Sequence, residues 1–127
     1  MEDPIPQFSH LVKSLADFDL AYLQLCESDA KDAGESLHPI VENYRKDSPV
    51  MVACNYTAES AVKAVDQEYK DRNAMVAFGK PYISNPDLPF RIKEGIPFQP
   101  YDPATMYAQC PEGYVDYGFS QEFLSKR

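Results

Sequence analysis

Lys80 is the residue of this 127-residue chain best placed to do chemistry. It follows Gly79 at the end of a short apolar run, Ala74-Met75-Val76-Ala77-Phe78. The run is bounded and too short for a helix, so it predicts a buried parallel strand. A glycine there lets the backbone approach a neighbour closely, and the lysine sets a cation at the strand's carboxyl end. In an α/β sheet that edge is where ligands bind. Strand, glycine and cation together make a candidate phosphate site, although a glycine after a strand more often marks only a turn. Other reactive side chains point less clearly. Cys54 ends a second apolar run and is either a reactive thiol or, more commonly, a small apolar residue closing a strand. His10 and His38 have no metal-ligand spacing to each other or to a cysteine, so no metal site is expected. Glu27, Asp29, Asp32 and Glu35 read as a solvated acidic loop.

The elements that would position Lys80 alternate. Residues 6–16 place Phe8, Leu11, Val12 and Leu15 on one helical face. Residues 20–26 form a bounded apolar strand, and the polar stretch 27–36 is a loop. Residues 37–44 predict a helix with Leu37, Ile40, Val41 and Tyr44 on its packed face. A turn at Ser48-Pro49 leads to a strand over 50–54. Thr57 is the expected cap of a helix over 58–70, packed through Ala61, Ala64, Val65 and Glu68. The strand 74–78 follows. Its spacing from the others suits parallel crossover connections. Beyond the turn at Gly79, Asn85 is expected to cap a helix with Pro86 at its first position and Asp87 in its first turn. Phe90 and Ile92 would pack, and Gly95 would end that helix. From Ile96 onward the chain is rich in Pro and Tyr and shows little periodicity.

Composition narrows the function. Apolar and charged fractions of 44% and 25% are those of a globular domain with a core. A net charge of −8 argues against nucleic acid as a partner, because phosphate neutralisation needs clustered Lys and Arg. No apolar run reaches the length of a membrane span, so no membrane partner is expected. The acidic start, Met1-Glu2-Asp3-Pro4, lacks the basic and apolar regions of a signal peptide. The three widely spaced cysteines fit a reducing compartment, and a cytoplasmic location is expected.

Four stretches carry a family resemblance. Leu20-Ala21-Tyr22-Leu23-Gln24-Leu25 with Glu27 resembles the LAYLHL strand of the old yellow enzymes. Met51-Val52-Ala53-Cys54-Asn55-Tyr56-Thr57 resembles their next strand and its turn. Ala77-Phe78-Gly79-Lys80-Pro81-Tyr82-Ile83-Ser84-Asn85-Pro86-Asp87-Leu88 is similar to their FGRxFIxNPDL signature. Tyr101-Asp102-Pro103-Ala104-Thr105-Met106-Tyr107 and Gly113-Tyr114-Val115-Asp116-Tyr117 resemble their tail. Nearly the whole chain is covered.

The resemblance implies an α/β fold: residues 1–127 as the C-terminal portion of an FMN-binding TIM barrel, contributing strands six to eight with their helices. A closed barrel needs eight strands and about 250 residues, so the barrel would be partial. It implies FMN as cofactor, NAD(P)H and an enone-type small molecule as partners, and a fungal secondary pathway of the ergot-alkaloid kind. By position, Cys54, Asn55, Gly79 and Lys80 would hold the flavin phosphate and Tyr107 would line the substrate pocket. Phosphate sites built after strands seven and eight are usual in such barrels.

There are departures. Cys54 stands for a glycine, Lys80 for an arginine whose two-pronged grip it lacks, Met106 for a phenylalanine, Asp29 for an arginine and Gln24 for a histidine. The family's proton-donor tyrosine and its flavin-ring contacts precede the matching region, so no catalytic residue is expected in this chain. The expectation is a truncated, inactive member. The alternatives are the C-terminal part of an active reductase of α,β-unsaturated carbonyls, or a non-catalytic module that self-associates through open sheet edges.

Overall fold

Four-residue strands recur where the sequence alternates between a helix-facing and an opposite-facing side chain. In the computed structural model, residues 4–26 and 37–126 are described. They divide after Ala77 into two compact units. The first holds α1 (Pro4–Leu15), β1 (Leu23–Cys26), α2 (His38–Val41), β2 (Val50–Ala53), α3 (Ala58–Lys63), a π-helical turn over Ala64–Glu68, and β3 (Ala74–Ala77). The expected acidic loop over 27–36 lies outside the described residues.

The strands form one parallel sheet in the order β1-β2-β3, as the spacing predicts. Register aligns Leu23, Val50 and Ala74 in one row across the three strands, and Leu25, Val52 and Val76 in another. All six belong to or pack against a core that includes Val12, Ile40, Val41, Tyr44, Ala64 and Tyr69. Leu37, Ile40, Val41 and Tyr44 are buried together, which is the face predicted for that helix. The helix itself stops at Val41, short of the predicted limit, and Arg72 Nη2 donates to Val41 O at 2.6 Å and to Tyr44 O, in the turn beyond, at 3.0 Å.

Several expectations shift. The strands begin or end inside the predicted limits, most clearly β1, which starts at Leu23 rather than Leu20. Of the predicted face of α1 only Val12 is buried, while Phe8 and Leu11 stand 41% and 49% exposed. The helix expected over 58–70 is α only to Lys63. The amide of Tyr69 then donates to Ala64 O at 2.8 Å, five residues back. The widened turn carries Tyr69 into the core at 1% exposure and leaves Val65 and Glu68 outside. Tyr69 stacks on the His38 ring, with centroids 5.8 Å apart, so His38 is more than the surface residue expected.

The second unit holds α4 (Gly79–Ser84), α5 (Leu88–Glu94) and α6 (Gln121–Ser125), joined by turns. Where a turn was expected after β3, Gly79 opens α4 directly. Asn85 does not cap the next helix. It ends α4, and Asp87 is the residue before α5, so Pro86 lies outside the helix and Pro89 takes its second position; α5 ends at left-handed Gly95 (φ 68°), as predicted. The tail contains α6, capped by Ser120, which the weak periodicity there did not show.

Candidate functional site

The first half of the candidate site is the turn leaving β2. Cys54 and Asn55 both have positive φ, 80° and 55°. Left-handed backbone pushes Cβ against the following carbonyl and costs an L-residue about 1–2 kcal/mol, least for asparagine and not at all for glycine. A glycine at the Cys54 position would therefore be unstrained. Thr57 fixes the exit from this turn: its Oγ1 accepts from Ser60 N at 3.1 Å, and Ser60 Oγ accepts from Thr57 N at 2.9 Å. This reciprocal pair starts α3 and holds Cys54-Asn55 between two regular elements.

The second half lies in the other unit, at the start of α4. Gly79 and Lys80 are exposed. A Cβ on Gly79 would meet nothing within 4 Å, and its φ is not left-handed, so among the described residues no atom makes the close approach predicted there. Among the described residues no carboxylate pairs with Lys80. Tyr107, the expected substrate-pocket residue, is 84% exposed. Within this unit an open cleft of about 370 Å³ is lined by Gly79, Tyr82, Ile83, Pro86, Tyr114, Val115 and Tyr117, without Tyr107. Cys54 and Asn55 thus share one turn, Gly79 and Lys80 share one helix start, and Tyr107 does not line the cleft beside Gly79.

Sequence reasoning missed a buried polar latch in the second unit. Asp87, with no exposed side-chain surface, pairs with Arg91 at 2.8 Å. Its other oxygen accepts from the backbone amide of Ser120 at 3.0 Å and from the Ser120 hydroxyl. Burial pushes the carboxyl upward, but hydrogen bonds from Arg91 and Ser120 outweigh it and hold the pKa at about 2. Arg91 also donates to Pro97 O at 2.8 Å. Asn85 grips the Gln99 peptide from both sides, donating to its carbonyl at 3.0 Å and accepting from its amide at 2.7 Å. The signal was the polar residues within Asn85-Pro86-Asp87-Leu88-Pro89-Phe90-Arg91, an i,i+4 acid–base pair on a helix otherwise read for its apolar positions.

The sequence model of the NADH:flavin oxidoreductase / NADH oxidase family, an FMN family, matches residues 6–99. The chain belongs to this family. It is 52% identical to the chanoclavine-I aldehyde reductase fgaOx3 of Penicillium roqueforti over 97% of its own length and 35% of that protein's. It is 43% identical to the "probable inactive dehydrogenase" easA of Claviceps purpurea, covering 36% of it. The old yellow enzyme homologue of Zymomonas mobilis matches with a TM-score of 0.77 at 33% identity, over 93% of this chain and 34% of that one. The chain therefore spans about a third of the length of the old yellow enzymes it matches, their C-terminal part. The parallel sheet is a sector of their TIM barrel and is not closed. Among the described residues no helix is long and apolar enough to cross a membrane.

Proposed function

We propose that this chain carries the phosphate-binding corner of an old-yellow-enzyme flavin site and does not catalyse flavin-dependent reduction by itself. The observation that carries the reading is the left-handed pair Cys54-Asn55 directly after β2. In this family that turn brings backbone amides to the FMN phosphate. In the second unit the exposed pair Gly79-Lys80 offers open space and a cation, matching by position the family signature that meets a flavin phosphate. FMN, when bound, carries the hydride between nicotinamide and substrate. The substrate class is an α,β-unsaturated carbonyl, with NAD(P)H as reductant, in the cytoplasm. Tyr107 would line the substrate side.

Phosphate contacts without ring contacts give weak binding and no orientation, and misplacement by about 1 Å can cost about a hundredfold in rate. The test is NADPH oxidation with cyclohexenone and added FMN. No turnover above free flavin is expected, with weak FMN binding that Lys80→Ala abolishes. Turnover clearly above free flavin would overturn the reading. A second reading is favoured by the higher identity to an aldehyde reductase, 52%, than to the protein named as inactive, 43%. In it the same corner serves an active reductase whose remaining barrel comes from elsewhere. A flavin absorbance band in the protein as purified would support that reading.

A further inference from the structure

Two cysteines that lie far apart in the sequence come to neighbouring strand ends. Cys26 is the last residue of β1, and its partner across the sheet is Ala53, the last residue of β2. Cys54 is the next residue. Neighbouring strands lie about 4.8 Å apart and a strand rises about 3.3 Å per residue, so a one-residue offset sets the two Cα atoms roughly 6 Å apart. Disulfides span Cα separations of about 4.4–6.8 Å. Direction is the harder requirement. Alternation would send the Cys54 side chain to the core side with Val50 and Val52, while Cys26 and Ala53 alternate onto the other face. The left-handed turn changes that. A parallel strand has a φ of about −120°, and Cys54 has 80°, so its Cβ is swung through about 200° around the N–Cα bond. This near-reversal carries it away from the core side, towards the face that holds Cys26. Burial agrees: Val50 and Val52 are 0% exposed, whereas Cys54 is half-buried and Cys26 is exposed.

We propose that Cys26 and Cys54 form a reversible intramolecular disulfide, and that this bond closes the phosphate turn to FMN. The closure rests on the phosphate reading above; the bond itself does not. The oxidant is a small disulfide of the glutathione class. The exposed Cys26 thiolate attacks it, a mixed disulfide forms and one glutathione thiolate leaves. The Cys54 thiolate then attacks the Cys26 sulfur and expels the second glutathione. The two cysteine thiols give up two electrons and two protons, and one oxidised glutathione becomes two thiols. The new bond lies at the carboxyl ends of β1 and β2, the edge where such a sheet binds ligands. Two joined sulfurs there cover the Cys54 amide and keep a phosphate from reaching it. In a reducing compartment a bond of this kind is made transiently, as a sensor. A glycine at position 54 could not take part, so the substitution that strains the turn is also the one that makes it oxidisable.

The test uses the full chain at low concentration with Cys110→Ser, which leaves only the pair. After treatment with oxidised glutathione the intact mass should fall by two hydrogen atoms with no glutathione attached, and peptide mapping should join Cys26 to Cys54. FMN titration, followed by flavin fluorescence, should show an affinity at least about tenfold lower for the oxidised than for the reduced chain, restored by dithiothreitol. Cys26→Ser on the same background removes the entry thiol and should keep its FMN affinity through the same treatment. Disulfide-linked dimers, or glutathione adducts with no bond between the two cysteines, would overturn the proposal. So would a mapped Cys26–Cys54 bond that leaves FMN affinity unchanged. A reduced chain that binds no FMN, with the bond still formed on oxidation, would sink the phosphate reading and the closure that rests on it, and would uphold the bond.

Discussion

Cys54 illustrates how one residue can carry a family's geometry without its preferred chemistry. The backbone at this position is left-handed, and a thiol-bearing Cβ sits where glycine would be relaxed. Cys54→Gly removes about 1–2 kcal/mol of strain and adds back some unfolded-state entropy. A net gain of about 0.5–1 kcal/mol is expected from denaturant titration. Tyr44 makes the opposite case. It is 4% exposed, and its hydroxyl has no hydrogen-bond partner among the described residues. A buried hydroxyl without a partner is costly, so Tyr44→Phe should raise the unfolding free energy by about 1 kcal/mol, read from denaturant titration. Neither effect could be read from sequence. The departure from glycine was visible, but the φ that gives it meaning was not.

At the scale of elements, the sequence was most informative where burial and periodicity agreed. The three strands and their order followed from short apolar runs separated by crossover-length segments, and α2 followed from a face that is buried throughout. The cap at Thr57 was also legible, because its side chain and Ser60 satisfy each other within one turn. Thr57→Ala should cost about 1 kcal/mol by thermal unfolding. The π turn was hidden because a straight 3.6-residue repeat passes through Glu68, and only the five-residue step from Ala64 to Tyr69 reveals it. The latch was hidden for a different reason: Ser120 lies far along the chain from Asp87, and single-sequence patterns do not reach that distance. Because the folded carboxyl of Asp87 titrates at about 2, below its ordinary value of 3.8, its contribution is complete above about pH 4 and is lost as pH falls through 2. The amount is on the order of 2 kcal/mol. Asp87→Asn should remove that acid dependence and cost more, about 3–5 kcal/mol, by leaving Arg91 buried without its counter-charge. Circular dichroism between pH 5 and pH 2 on both proteins checks this.

For the molecule as a whole, the residues proposed to hold a flavin phosphate are divided between two compact units, each with its own internal order. The first is ordered by apolar packing, with Val41, Val50 and Val52 fully buried. The second relies on polar side chains, Asn85, Asp87 and Arg91, that hold distant backbone segments in place. Their responses should differ accordingly. Lowering pH should loosen the second unit before the first, and hydrogen exchange at pH 3 should show α5 and α6 losing protection while β2 keeps it. Equal loss in both units would refute this. Membership of the family was legible from its motifs alone, but the sequence did not show that Asn85, Asp87 and Arg91 serve the second unit's own architecture.

The latch also sets an order of events during protein synthesis. Ser120 leaves the ribosome 33 residues after Asp87. At about 5–20 residues per second that is a delay of roughly 2–7 s. Throughout it, the Asp87 carboxylate has Arg91 as a neighbour but not its second partner. The first unit has all its strands before the wait begins. The second can close only when translation reaches its far end, so a frameshift anywhere between the two residues leaves the earlier half of the latch without a partner to find.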